Sequence, residues 1–185
     1  MQPSFPPLVL QIALAALVLV AAATDIRSRR IPNWLTLSGV LAGILLNTLL
    51  AADGNNWQTS LAGMGLAFLV YFPLYLLRGM GAGDVKLMAA VGALMGPVNW
   101  FWIFVVSNIL GGVAAIVLLL VKGGLWRTLS NLGYMLKELM FFRPPYLKRE
   151  ELDLASPRAV KMPHGVAIAM GSLLFLAAAW IWVRP

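Results

Sequence analysis

The sequence contains no cysteine. That excludes disulfides, thiol nucleophiles and cysteine-based zinc sites. Histidine occurs once, at His164, so no metal centre and no other cofactor is expected. Charge is also scarce: Asp, Glu, Lys and Arg make up 11% of the 185 residues, against about 25% in soluble domains. Too little is left to clothe a water-facing surface. Hydrophobic residues supply 61% of the chain, and the mean hydropathy is +0.84. The chain therefore reads as an all-α integral membrane protein, with one membrane domain over residues 1–185 and no separate soluble domain. At roughly 20 residues per crossing plus loops, the length accommodates about six transmembrane helices.

The net charge is +7, but the basic residues gather in a few loops. That distribution follows the positive-inside rule rather than a nucleic-acid-binding patch, so no nucleic-acid partner is expected. Leu8 to Ala23 is a continuous apolar run ending in small residues, as a secretory signal would. No positive charge precedes it, however, and Arg27, Arg29 and Arg30 follow directly. It is therefore read as a retained first span, with the N-terminus outside and residues 25–33 in the cytoplasm. Pro32 disfavours helix at Ile31, and Asn33 is placed to cap the second helix. That helix runs from about Trp34 to Ala52, with Gly39 and Gly43 as a close-packing face. A third span covers about Gln58 to Leu77.

After the stretch Gly79-Met80-Gly81-Ala82-Gly83-Asp84-Val85-Lys86 the chain is apolar as far as Val121. Two crossings need a turn, and Gly96-Pro97 supplies it. Asp84 then lies 12 residues from Gly96, roughly 18 Å along a helix. This places it inside the cytoplasmic leaflet, where Lys86 must snorkel or pair with a carboxylate. The same counting leaves Asp25 at the boundary, so helix tilt or a sunken outer turn is needed to bring the two level. Residues 122–163 carry eight of the 14 basic residues and read as cytoplasmic. Leucines recurring at three- and four-residue spacing from Leu125 to Leu139 mark an amphipathic surface helix within them. A last span from about Val166 to Val183 puts both termini outside.

Of the seven acidic residues, Asp53 belongs to an outside turn, and Glu138, Glu150, Glu151 and Asp153 belong to the long cytoplasmic segment. Asp25 and Asp84 are left as the two at or within the membrane. Isolated intramembrane acids are costly and argue for function. Two carboxyl groups sharing a site do not both ionise cheaply, so one retains a proton. Such a pair suits peptide hydrolysis: one member takes a proton from water while the other donates to the carbonyl oxygen. Other readings stay open on these residues. Each acid could instead be neutralised by a neighbouring base, Asp25 by Arg27 or Arg29 and Asp84 by Lys86. The acids could also serve proton or cation conduction in a small channel or transporter, or the chain could be a non-catalytic membrane scaffold.

At these residues the chain resembles a known family. Gly81-Ala82-Gly83-Asp84 is similar to the GxGD motif of intramembrane aspartyl proteases. Together with Asp25 followed by Arg30-Ile31-Pro32-Asn33, and with Pro163-His164-Gly165-Val166-Ala167-Ile168-Ala169, it resembles the type IV prepilin peptidases. The resemblance implies cleavage of a prepilin leader at the cytoplasmic face of the inner membrane, after a glycine that precedes the pilin's apolar helix. It implies Asp25 and Asp84 as the catalytic pair, with Gly81, Gly83, Lys86, Pro32, Asn33, Pro163 and Gly165 shaping the site. The implied partners are the prepilin, the lipid bilayer and the pilus-assembly machinery.

Longer bifunctional members of that family carry an added cytoplasmic region between their first spans, often with zinc-binding cysteine pairs, and also methylate the new N-terminus. Here residues 25–33 alone occupy that place and cysteine is absent, so methylation is not expected. The short form looks most like the peptidases of tight-adherence, or Flp-type, pilus systems, with the archaeal preflagellin peptidases as the alternative. His164 is read as an interfacial residue at a helix start rather than as a catalytic group.

Overall fold

The computed structural model describes residues 6–50, 56–122, 125–140 and 164–183. All of its regular structure is helical: α1 (Leu8–Ser28), α2 (Asn33–Leu49), α3 (Trp57–Leu76), α4 (Ala82–Lys122), α5 (Leu125–Met140) and α6 (His164–Val183). Four of these, α1, α3, α4 and α6, are long and apolar enough to cross a membrane. Helix α2 is apolar but shorter, at 17 residues. Large apolar side chains point outward along it, with Leu37, Leu41 and Leu45 each more than half exposed. Such a surface suits lipid rather than water, and the chain is a multi-pass membrane protein.

Helix α4 is not one rod. Gly96 sits at φ +70° and ψ 173°, outside helical space and in a region open to glycine, and Pro97 follows it. The indole N–H of Trp100 donates to the Met88 carbonyl at 3.1 Å, although 12 helical residues would separate them by ~18 Å on a straight axis. The chain therefore folds back at Gly96-Pro97, as the sequence predicts. The turn is secured by Asn47 of α2, which is buried. Its side-chain amide reaches the carbonyls of Ala93 at 3.0 Å and Leu94 at 3.2 Å, and also the hydroxyl of Ser60 at 2.9 Å. The helical partner of the Ala93 carbonyl would be the N–H of residue 97, which proline lacks. Asn47 supplies that donor from a neighbouring helix.

Helices that have no water to escape associate through close backbone approach, and small residues make it possible. A Cβ on Gly63 of α3 would fall on the Gly92 carbonyl oxygen of α4, and Gly96 meets Thr59. That antiparallel register sets Tyr71 opposite Asp84. Gly39 touches both Leu17 of α1 and Ala90 of α4, and Gly43 lies against the Ala93 backbone. The small-residue face expected at Gly39 and Gly43 thus holds α2 against both neighbours. On the returning half of α4, Gly111 meets Ala167 of α6, and Ser107 meets Gly171. A Cβ on the neighbouring Gly112 would meet nothing within 4 Å. The amphipathic stretch forms α5, whose Trp126 and Met140 are exposed.

Candidate active site

Asp25 lies on the last turn of α1 and is buried, at 7% exposure. The first helix is longer than its apolar run, continuing to Ser28 so that Asp25 is carried within it. Asp84 is the third residue of α4 and is partly buried. Its side chain reaches back to the Gly81 backbone, the acidic half of a capping box. The two acids lie at one level. From Gly39, which touches Leu17 and Ala90, Asp25 is eight residues along α1 and Asp84 six along α4, or ~12 and ~9 Å toward the same end. The depth mismatch raised by counting from the sequence is removed by this packing. Asp84 interacts electrostatically with both Asp25 and His164.

The glycines of the motif have separate jobs. A Cβ on Gly81 would come within 3.2 Å of Asp84 Oδ2, and one on Gly83 would come within 3.3 Å of Ile31 Cβ. Gly83 therefore admits the Ile31-Pro32 connection that follows Asp25. The close approach at Gly83 is thus made by the chain itself. Pro32 ends that connection in extended backbone and precedes α2.

Asn33 is the first residue of α2, and the cap position before it belongs to Pro32, with no side-chain cap bond. The expectation that Asn33 caps this helix is corrected: its Oδ1 accepts from Lys86 Nζ at 2.9 Å. Lys86, which is exposed, donates here to an amide oxygen rather than to a carboxylate. An open groove of ≈370 Å3 lies here between α2 and α4, lined by Trp34, Leu37, Val40 and Ala89 with Asn33 and Lys86.

From the far end of the chain, Gly165 brings its backbone N–H to Asp25 Oδ2 at 2.9 Å. His164, an exposed first residue of α6, interacts electrostatically with Asp84. Pro163 lies outside the described residues. Sequence reasoning passed over Tyr71, which is buried, accepts from Asn108 Nδ2 at 3.5 Å and interacts electrostatically with Asp84. Its signal was a hydroxyl and an amide placed inside apolar spans. Among the described residues no three His, Asp or Glu side chains are grouped as metal ligands would be.

The type IV leader peptidase family matches this chain over residues 12–116. That span includes Asp25 and Gly81 to Asp84 and more than half of the sequence, and the chain belongs to that family. It is 31% identical over 81 residues to a preflagellin peptidase of Methanococcus voltae, an alignment covering 42% of this chain and 34% of the relative. It is 36% identical over 97 residues to a prepilin leader peptidase/N-methyltransferase of Klebsiella pneumoniae, covering 49% and 42%. A protein of the same description from Escherichia coli (strain K12) is 32% identical over 135 residues, covering 64% and 60%. The chain thus spans between one third and three fifths of the length of these curated relatives. No solved structure matches it.

Proposed function

We propose that this protein is a membrane aspartyl endopeptidase that removes the leader of a prepilin, using Asp25 and Asp84 as one catalytic pair. The observation that supports the reading is the electrostatic interaction between these two acids, 59 positions apart in sequence, at one end of an apolar bundle. In the proposed reaction the ionised member of the pair takes a proton from a water molecule, whose oxygen attacks the scissile carbonyl carbon. The protonated member donates to the carbonyl oxygen. Collapse of the tetrahedral intermediate sends a proton to the leaving nitrogen as the C–N bond breaks. No side-chain nucleophile takes part.

In this reading α1, α2, α3, the two halves of α4 and α6 cross the bilayer as six spans, with both termini outside. The acids then lie at the cytoplasmic face of the inner membrane. The substrate's apolar helix lies laterally against the spans, and its basic leader stays in the cytoplasm, where the leader is cut after a glycine. The short α1–α2 connection, Arg29 to Pro32, supports cleavage without methylation. A Flp-type prepilin is the first candidate substrate. A preflagellin is the second, favoured by the similarity to the Methanococcus voltae relative.

The test uses the purified protein in liposomes with synthetic prepilin and preflagellin peptides. Cleavage at the leader junction that disappears in Asp84→Asn at unchanged protein level supports the proposal. Proton or cation flux that persists without any peptide, with no cleavage, refutes it in favour of conduction.

A further inference from the structure

The two acids ride on helices that scarcely touch each other: α1 and α4 share few contacts, whereas α6 packs extensively against both. Asp84 is held locally, by the Gly81 backbone three residues away. Asp25 is held from a distance. The Gly165 N–H that reaches its Oδ2 at 2.9 Å is buried and comes from 140 residues further along the chain. We propose that this backbone amide is a positioning group, fixing the Asp25 carboxylate where it faces Asp84. The inference rests on the protease reading above and concerns a residue outside the 12–116 stretch that matches the family.

Space and hydrogen bonding agree at this position. A Cβ on Gly165 would lie 3.0 Å from Asp25 Oδ2, 3.1 Å from its Cβ and 3.3 Å from its Cγ. Gly165 has an ordinary negative φ, so its backbone conformation does not require glycine. What crowds a side chain there is the carboxyl group, which would have to shift by a few tenths of an ångström. As the second residue of α6, Gly165 has an N–H with no partner inside its own helix, so the amide is available without cost to the helix. The register of α6 is set elsewhere, by Gly111 against Ala167 and Ser107 against Gly171. Those contacts deliver the amide to Asp25.

Two perturbations of the full-length protein test this. Gly165→Ala pushes the carboxylate aside. Replacing Gly165 by its α-hydroxy acid, glycolic acid, turns the amide into an ester and removes the hydrogen while adding no bulk. Both are expected to lower kcat on a prepilin peptide by about 10- to 100-fold, the scale of a misplaced catalytic group. KM and the thermal midpoint should hold. Gly111→Ala, whose new methyl group would make an ordinary 3.5 Å contact with Ala167 and leave the register of α6 in place, should keep wild-type kcat.

A wild-type kcat in the ester form overturns the proposal, whether or not Gly165→Ala folds. An equal loss in Gly111→Ala overturns it too, since general docking of α6 would then be the cause. Asp25→Asn and Asp84→Asn run alongside. If these still cut, the protease reading itself fails; if they do not and the ester form cuts at full rate, the positioning role alone fails.

Discussion

Replacing Asn47 by leucine isolates the turn that lets α4 double back. Leucine keeps the number and branching of the side-chain heavy atoms and adds apolar surface, so a transfer argument alone predicts stabilisation. The structure predicts the reverse. Asn47 has two amide hydrogens and four acceptors within reach: the Gly43, Ala93 and Leu94 carbonyls and the Ser60 hydroxyl. The Ala93 carbonyl has no alternative, because residue 97 is proline. Leaving a buried acceptor unsatisfied costs about 1–3 kcal/mol. For a chain of this size each kcal/mol moves the melting temperature by about 2–4 °C, so a fall of about 2 to 12 °C is expected. Intrinsic tryptophan fluorescence in detergent reads the transition. Thr48→Val is the control, since the Thr48 hydroxyl bonds only the Ile44 carbonyl of its own helix and is exposed. Because Asn47 sits at the end of the bundle away from Asp25 and Asp84, kcat below the transition should be unchanged. A wild-type melting temperature in Asn47→Leu, or an equal fall in Thr48→Val, refutes the reasoning.

Two further outcomes follow from the packing. Gly63→Ala should destabilise the fold and lower the yield of folded protein, because its new methyl group meets the Gly92 carbonyl, while Gly65→Ala, with nothing within 4 Å, should be neutral in the same melt. The chain lacks cysteine, so Asp25→Cys/Asp84→Cys can be tested in membranes with a short bis-thiosulfonate reagent. Cross-linking is expected for that pair and not for Asp25→Cys/Asn99→Cys, whose second position lies next to the Gly96 turn at the other end.

The parts of this fold legible in the sequence are those written in residue type. Gly96-Pro97 is a breaker pair in a long apolar run, and Pro97 is the one proline in it. Gly39 and Gly43 are spaced for one helix face. Asp25 and Asp84 stood out because carboxylates are costly in lipid and every other acid belonged to the outside turn or to the long cytoplasmic segment. What stayed hidden depends on partners far away in sequence. Asn33 looked like a cap because capping is local, while its actual partner, Lys86, lies 53 residues on. Asn47 carried no signal of its own in the sequence, since the missing hydrogen-bond donor it replaces belongs to another helix. The hydrogen bond from Gly165 to Asp25 is a backbone contact, and a backbone donor leaves no mark in residue identity. The short α2 is a related case: apolar composition fixes which stretch is helical more sharply than where the helix ends.

The central claim is that Asp25 and Asp84 act as a unit. Its most direct test is cleavage of one prepilin peptide by reconstituted wild-type protein, Asp25→Asn, Asp84→Asn and the double variant, at matched amounts of folded protein. Groups that work as a unit are strongly non-additive. Each single variant should therefore lose cleavage, and the double variant should be no slower than either one. A single variant that cuts at the wild-type rate, or losses that multiply in the double variant, would contradict it.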